Sequence, residues 1–292
     1  MASRVILVTD LDNTLYNFVD YFGPAFRAMV HVVARCVSLS EEEVTEDFRQ
    51  TYQHYGTVEY SFAVQELTCV QGLSEDERQR IVHAARVAFG GTRRKRLRLY
   101  PGVKETLLWL SANCAVLCAV TNAPAYQVYR RLHDLGIARL FTAIGAWEGN
   151  VVPPSEPAAR VRYAQHLTEI DKRVALSMRL ARADSKPRPR MFEEILKRFE
   201  TPGALMVALG DSIEKDLRPA STRGMATVWA RYGTVTDKAN QKTLDSITPW
   251  DSAELASHYE STYVPDFVVD AFSDVRDLFP FAYQRPLLSL NQ

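Results

Sequence analysis

Val5-Ile6-Leu7-Val8-Thr9-Asp10-Leu11-Asp12-Asn13-Thr14-Leu15-Tyr16 sets two carboxylates one residue apart, directly after a short apolar run. The five residues before Asp10 are β-branched or apolar with no polar alternation, which is the pattern of a parallel strand buried on both faces. Such a strand ends at the carboxyl edge of its sheet, where ligands bind in open α/β folds. Carboxylates crowded there repel one another and resist desolvation, so they need a cation, a proton or a chemical task. A plain strand-end turn with an Asp cap for the next helix would give the same two residues. The rest of the chain has to decide between these readings.

Outward from this stretch, further buried-strand runs recur at Ala115–Val120, Thr142–Ala146, Leu205–Leu209, Ala226–Ala230 and Phe267–Val269. Most are separated by segments of helical period, such as Val103–Ala112 and Tyr126–Leu135. This alternation predicts an α/β fold, a Rossmann-like parallel sheet with helices on both faces. Residues 18–98 break the rhythm. They hold no convincing strand and carry two capping-box starts, Ser40 with Glu43 and Ser74 with Glu77. An inserted all-helical cap over 18–98 is expected, with residues 1–17 and 99–292 forming the core. A second departure spans about 147–184, opened by Pro153-Pro154. There Val161, Ala164, Leu167, Ile170 and Val174 recur at helical intervals, which predicts an inserted amphipathic helix. Its apolar stripe must rest on the core, the cap or a second subunit, so a homo-oligomer is one of the expected outcomes.

Composition narrows the functional classes. The chain has 292 residues, enough for a sizeable core, and Lys plus Arg balance Asp plus Glu at 35 each. No global field points to nucleic acid or an anionic membrane. The four cysteines, Cys36, Cys69, Cys114 and Cys118, lack zinc or disulfide spacing, and reduced core thiols are expected at Cys114 and Cys118. The first apolar run stops at an acid after five residues, too short for a signal-peptide core or a membrane span. A cytosolic protein is expected.

Three more signals fall at or just beyond strand ends. Thr121-Asn122 offers a hydroxyl, an amide and backbone donors suited to an anion. Lys186-Pro187 precedes a helical segment, Arg190–Arg198, and suits a cation pinned near the sheet edge. Gly210-Asp211-Ser212 follows the run Leu205–Leu209, with Asp216 five residues after Asp211. In a parallel sheet these ends face one way, so distant residues converge on one crevice. Four carboxylates with hard oxygen donors, and no His or Cys cluster, suit magnesium.

In that order, the motifs resemble those of the haloacid dehalogenase superfamily of phosphohydrolases. Asp10-Leu-Asp12-Asn-Thr14 matches its first motif, Thr121-Asn122 the second, Lys186 the third, and Gly210-Asp211-Ser212 through Asp216 the fourth. The helical block follows the first motif where that family places a helical cap. The resemblance implies that Asp10 is the nucleophile taking the phosphoryl group. Asp12 would be the general acid and then the base for water, entering the reaction protonated, and Thr14 would support the loop. Thr121 and Asn122 would hold phosphate oxygens, and Lys186 would balance the charge of phosphate and Asp10. Mg2+ would be bound by Asp10, the Asp12 carbonyl and Asp211, with Asp216 aiding indirectly. The family's dehalogenases generally lack the second acid of the first motif, so Asp12 favours phosphoryl chemistry over dehalogenation.

The expected activity is therefore a magnesium-dependent phosphatase acting on a small phosphorylated metabolite through an aspartyl-phosphate. Tyr52, His54, Tyr55, Tyr60 and Phe62 cluster in the cap segment, and aromatic rings can stack on a base. With Tyr100-Pro-Gly-Val103 they are most similar to the pyrimidine 5′-nucleotidase-like branch, which implies a nucleoside 5′-monophosphate. The same rings could instead pack the cap's own core. The basic run Arg93-Arg94-Lys95-Arg96-Leu97-Arg98 reads as a solvated cap–core hinge, with no nucleic-acid module beside it. The alternatives are a phosphoglycolate-type phosphatase or a sugar phosphomutase on the same scaffold. From another class comes a non-catalytic binding or regulatory protein, which would have no need of Asp10, Asp12, Lys186 and Asp211 together.

Overall fold

β1 (Val5–Thr9) has every residue buried, as its unbroken apolar run requires. The computed structural model describes residues 5–113, 115–148, 160–161, 165, 177–249 and 261–282. Around β1 lie β2 (Val116–Pro124), β3 (Ala143–Trp147), β4 (Ser177–Leu180), β5 (Leu205–Gly210), β6 (Ala226–Ala230) and β7 (Phe267–Val269). They form one parallel seven-stranded sheet in the order β4-β3-β2-β1-β5-β6-β7. Ile6 stands opposite Val116 and Met206, which puts β1 at the centre of the sheet.

The helices before β5 are, in chain order, α1 (Phe18–Val37), α2 (Glu41–Tyr55), α3 (Ala63–Glu66), α4 (Thr68–Gln71), α5 (Glu75–Arg96), α6 (Val103–Ala112), α7 (Ala125–Asp134) and α8 (Arg190–Phe199). The two-residue period of β1 assigns its side chains to two cores. Val5 and Leu7 join Leu107, Leu110, Val128 and Leu132 of α6 and α7 on one face. Ile6 and Val8 join Met191, Phe192 and Ile195 of α8 on the other. Among the described residues, no helix is long and apolar enough to cross a membrane.

The second departure from the strand–helix rhythm is only partly an insert. Residues 177–180, inside the expected helical insert at 147–184, are the edge strand β4, paired in parallel with β3 from Ile144 opposite Ser177. This strand carries no apolar run to betray it. Of Met178, Arg179 and Leu180 only Met178 is buried, because an edge strand packs less of its surface. Trp147 likewise belongs to β3. The expected stripe from Ala164 to Val174 lies outside the described residues, as does Cys114.

Between Phe18 and Arg96 every described element is helical. Asn17 caps α1 by accepting from the Asp20 N–H, and Ser40 caps α2 in a reciprocal capping box with Glu43. The two chain crossings into and out of this block lie side by side: Tyr16 bridges Leu99, and the Tyr100 N–H donates to the Leu15 carbonyl at 2.9 Å. The aromatic cluster packs on itself. Tyr55 and Tyr60 stack with centroids 3.7 Å apart, Phe48 lies against Phe26 and Tyr52, and Tyr52, Tyr60 and Phe62 are buried.

Buried charge seats the block on the sheet side. Arg131 of α7 is 1% exposed and donates from Nη1 to Tyr21 Oη of α1 at 2.7 Å and to Glu59 Oε1 at 2.6 Å. Its guanidinium also lies 5.7 Å from the ring centroids of Tyr16 and Phe18, within cation–π range. Burial pushes the Glu59 carboxyl up to about 7, against the opposing pull of Arg131. Nearby, Gln127 donates to Ser61 Oγ at 2.8 Å. Arg93, at the head of the basic run, is buried and pairs with Asp134 of α7 at 2.5 Å. The run is thus not wholly solvated: its first residue is part of the junction. Removing one partner of a buried pair leaves the other charge unpaired, so Arg131→Met is expected to lower unfolding free energy by about 3–5 kcal/mol in urea titrations. Adding Glu59→Gln should recover a large part of that loss, read as a positive coupling in the double-mutant cycle.

Candidate active site

Parallel strand ends bring the polar residues together. Asp10 ends β1 and donates its backbone N–H to the Leu209 carbonyl of β5 at 2.8 Å, which places it beside Gly210-Asp211. Asn13 adopts φ +58°, a left-handed turn that Asn tolerates better than branched residues, and this folds Thr14 back toward Asp10. The Thr14 hydroxyl lies 3.3 Å from Asp10 Oδ2 and 3.4 Å from Asp211 Oδ1, and accepts from the Asp211 N–H at 3.2 Å. Lys186 arrives from the loop before α8. Its Nζ donates to Asp10 Oδ1 and Asp216 Oδ1, both at 2.5 Å, and to the Val120 carbonyl at 3.1 Å.

The loops are held by contacts that leave little slack. Asn122 accepts from the Lys186 N–H and donates to the Lys186 carbonyl, both at 2.8 Å, so its amide clamps the lysine backbone. Asp216 sits in a wide turn, Ile213–Leu217, where its Oδ2 accepts from the Ser212 N–H at 3.1 Å. Gly210 must lack a side chain, because a Cβ there would lie 2.4 Å from Asp216 Oδ2. On the far side, Trp229 Nε1 donates to the Asp211 carbonyl at 2.9 Å and the Tyr232 hydroxyl to the Thr14 carbonyl at 2.6 Å. Gly233 lies so close that a Cβ would meet the Asn13 carbonyl oxygen at 2.0 Å.

The charge does not balance within this cluster. Asp10, Asp211 and Asp216 each present a carboxylate oxygen, all within 4.8 Å of one another, against the Lys186 ammonium, which contacts two of them, and Lys215, which lies near enough to feel all three. Burial pushes the Asp10 carboxyl up to about 7, with Lys186 opposing and Asp216 and Asp12 adding to the rise. Asp211 is raised well above the usual carboxylate range by burial and by the same neighbouring acids. Burial works to discharge Lys186, but Asp10 and Asp216 outweigh it and hold the ammonium charged. Excess buried negative charge on hard oxygen donors fits a small divalent cation.

Asp10, Lys186, Asp211, Asp216 and Thr14 are therefore one contact cluster. Thr121 is buried, and its hydroxyl accepts from the Ala123 N–H at 3.1 Å, leaving its own proton to donate. Asn122, expected to meet an anion, spends its side-chain amide on Lys186. Asp216, expected as an indirect helper, touches Lys186 directly. Asp12 points away from the cluster: its Oδ2 lies 3.5 Å from Arg131 Nη2, and its buried Oδ1 has no hydrogen-bond partner. Sequence reasoning passed over Arg131, Trp229, Tyr232 and Gly233. A charged residue amid the apolar stripe of α7 was the one available hint.

A family model described as haloacid dehalogenase-like hydrolase matches residues 6–222, and a second, described as HAD-hydrolase-like, matches residues 184–275. A curated relative, the glyceraldehyde 3-phosphate phosphatase of Methanopyrus kandleri, is 26% identical over 231 residues, 78% of this chain and 84% of that one. Among solved structures, a 2-haloacid dehalogenase from Pseudomonas syringae pv. Tomato DC3000 is 18% identical with a TM-score of 0.57, covering 95% of this chain and 99% of that one. An HAD phosphatase from Thermococcus onnurineus is 18% identical with a TM-score of 0.50, covering 95% and 97%. At these identities the solved structures speak to the fold. The family model, spanning well over half of the sequence, carries the assignment: this chain belongs to the haloacid dehalogenase-like hydrolase family.

Proposed function

We propose that this protein is a magnesium-dependent phosphatase that hydrolyses a small phosphomonoester through an aspartyl-phosphate on Asp10. The observation that carries this reading is the buried Asp10 carboxylate, fixed between Lys186 and the Thr14 hydroxyl at the end of β1. A phosphate monoester is an anion and repels a carboxylate nucleophile. Lys186 offsets that repulsion, and its ammonium is held in place by Asp216 and the Asn122 clamp. Mg2+ held by Asp10, the Asp12 carbonyl and Asp211, with Asp216 in support, would supply the remaining neutralisation of the transferring oxygens.

In the first step an Asp10 oxygen bonds to phosphorus as the ester P–O bond breaks, and Asp12 gives its proton to the departing oxygen. In the second step Asp12 takes a proton from water, whose oxygen attacks phosphorus and releases phosphate and the free Asp10 carboxylate. The buried, unpartnered Asp12 Oδ1 is the atom we assign to that proton. Thr121 and the backbone around Asn122 are assigned to phosphate oxygens. Residues 18–98 are assigned as a cap, with 1–17 and 99–292 as the catalytic core.

The substrate is a small phosphorylated metabolite. The aromatic cluster is the feature that would suit a nucleoside 5′-monophosphate, but those rings stack on each other within the block. The relative's name makes a triose phosphate an equal first candidate. Rates on glyceraldehyde 3-phosphate, nucleoside 5′-monophosphates, phosphoglycolate and a hexose phosphate would rank them.

Phosphate release from p-nitrophenyl phosphate should need Mg2+, stop in EDTA and fall by at least about 10³-fold in Asp10→Asn. Turnover that persists in EDTA would overturn the metal-assisted reading, and no turnover of any phosphoester would leave a binding protein. Gly233→Ala should lower kcat/KM by at least about tenfold while circular dichroism stays unchanged, because the added methyl displaces the Asn13–Thr14 turn and Asp211 together.

A further inference from the structure

A cavity of about 390 Å³, with no residue of the carboxylate cluster in its lining, lies between α1, the 58–65 segment, α5 and α7. That volume falls in the range of small-molecule sites, which are mostly apolar with a few placed polar groups. Its inner wall is aromatic and apolar, with Phe22, Tyr52, Phe89 and Tyr126 among its lining. Arg86, Arg94 and Arg130 also line it, and all three are exposed. None of the three is in an ion pair among the described residues, so no internal carboxylate offsets the charge they bring to the cavity. Arg130 moreover lies near enough to the buried Arg93 to disfavour its charge. In a chain with zero formal net charge, this gathering of unneutralised guanidinium groups around one cavity is a local excess of positive charge.

The spacing on α5 adds an independent observation. Arg86, Gly90 and Arg94 stand four residues apart, so they share one face of the helix with a gap at its middle. Glycine inside a helix costs roughly 1 kcal/mol relative to alanine, and a close packing partner would explain it. Here there is none: a Cβ on Gly90 would meet nothing nearer than Arg94 Nη1 at 3.8 Å. The glycine opens space into the cavity, and the Arg86 and Arg94 backbones stand about 12 Å apart along the axis, with the Arg94 guanidinium folded back toward Gly90. Arg130 lines the same cavity from α7, and a single negative charge cannot neutralise three guanidinium groups.

We propose that this cavity binds an organic polyanion, a flat apolar or aromatic body carrying two or more negative groups. The body lies over Gly90 against the aromatic wall, and its charged groups meet Arg86, Arg94 and Arg130. The inner end is closed by Glu59, which is already paired with Arg131, so the anionic groups sit at the arginine rim. This site stands apart from Asp10 and does not depend on the phosphatase reading.

Naphthalene-1,5-disulfonate is a suitable probe, because it has the required shape and charge and carries no phosphoester. Calorimetric titration of the full chain should show binding, with the same affinity in Asp10→Asn. The triple variant Arg86→Gln, Arg94→Gln, Arg130→Gln should weaken it at least about tenfold, and raising salt should weaken it further. Gly90→Leu, which changes no charge and favours helix, should also weaken it at least about tenfold by filling the space. No binding to the wild-type chain, unchanged affinity in either set of variants, or loss of binding in Asp10→Asn would overturn the proposal.

Discussion

Three carboxylates held around the Lys186 ammonium at the carboxyl edge of a parallel sheet are the constraint on which the rest of this molecule depends. Such an arrangement opposes folding, since burial and mutual repulsion both disfavour the charged acids. It persists because every loop that carries a charge is fixed by a neighbour that is not part of the cluster. Asn122 fixes the Lys186 backbone, Ser212 fixes Asp216, Trp229 fixes the Asp211 backbone and Tyr232 fixes the Thr14 turn. Gly210 and Gly233 contribute by omission, where a methyl group would strike the Asp216 carboxylate or the Asn13 carbonyl. The stability of the two-sided apolar sheet offsets the cost of holding these charges in place.

A second buried charge group ties the helical block to the same edge. Arg131 reaches Tyr21 and Glu59 with one guanidinium nitrogen and lies 3.5 Å from Asp12 with the other. The seating of the block and the orientation of Asp12 therefore share one side chain. An isolated Glu59 in that position would be driven toward its neutral form by burial, and the guanidinium opposes this. The block is held by specific polar contacts as well as by apolar area, so its position on the core is defined in angle as well as in proximity.

Much of this was legible in the sequence. Val5–Thr9 reads as a central strand because its unbroken apolar run has no other soluble placement, and the capping boxes of Ser40 and Ser74 mark helix starts chemically. Asp10 and Asp211 were legible because polar residues directly after buried strands must share an edge. Lys186 was legible as a cation just before the helical segment Arg190–Arg198, matching the third motif of the resemblance. β4 was not, since an edge strand with one buried side chain leaves no run to detect. Nor was the clamp role of Asn122: an amide suited to an anion is equally suited to a backbone peptide, and only geometry separates the two. Arg131 and Arg93 were hidden for a related reason. Charged residues on helices are mostly solvated, and their burial depends on partners 41 to 119 residues away.

The same asymmetry separates the chemistry from the specificity. Reacting groups must stand at fixed strand ends, so their order along the chain is constrained and can be read. Ligand recognition can come from any surface facing a cavity, and the residues that look most like a recognition surface here, the Tyr52–Phe62 rings, are largely occupied with one another. The unpaired charges that line open space beside those rings are arginines, Arg86 and Arg94 on one face of α5 about a glycine, with Arg130 of α7. Aromatic residues signal a ligand only where their faces remain free, and charges only where no counter-charge has been supplied from within the chain. By that criterion the helical block's surface for a ligand is the arginine rim of the cavity, whose wall the rings of Tyr52, Tyr60 and Phe62 help to build.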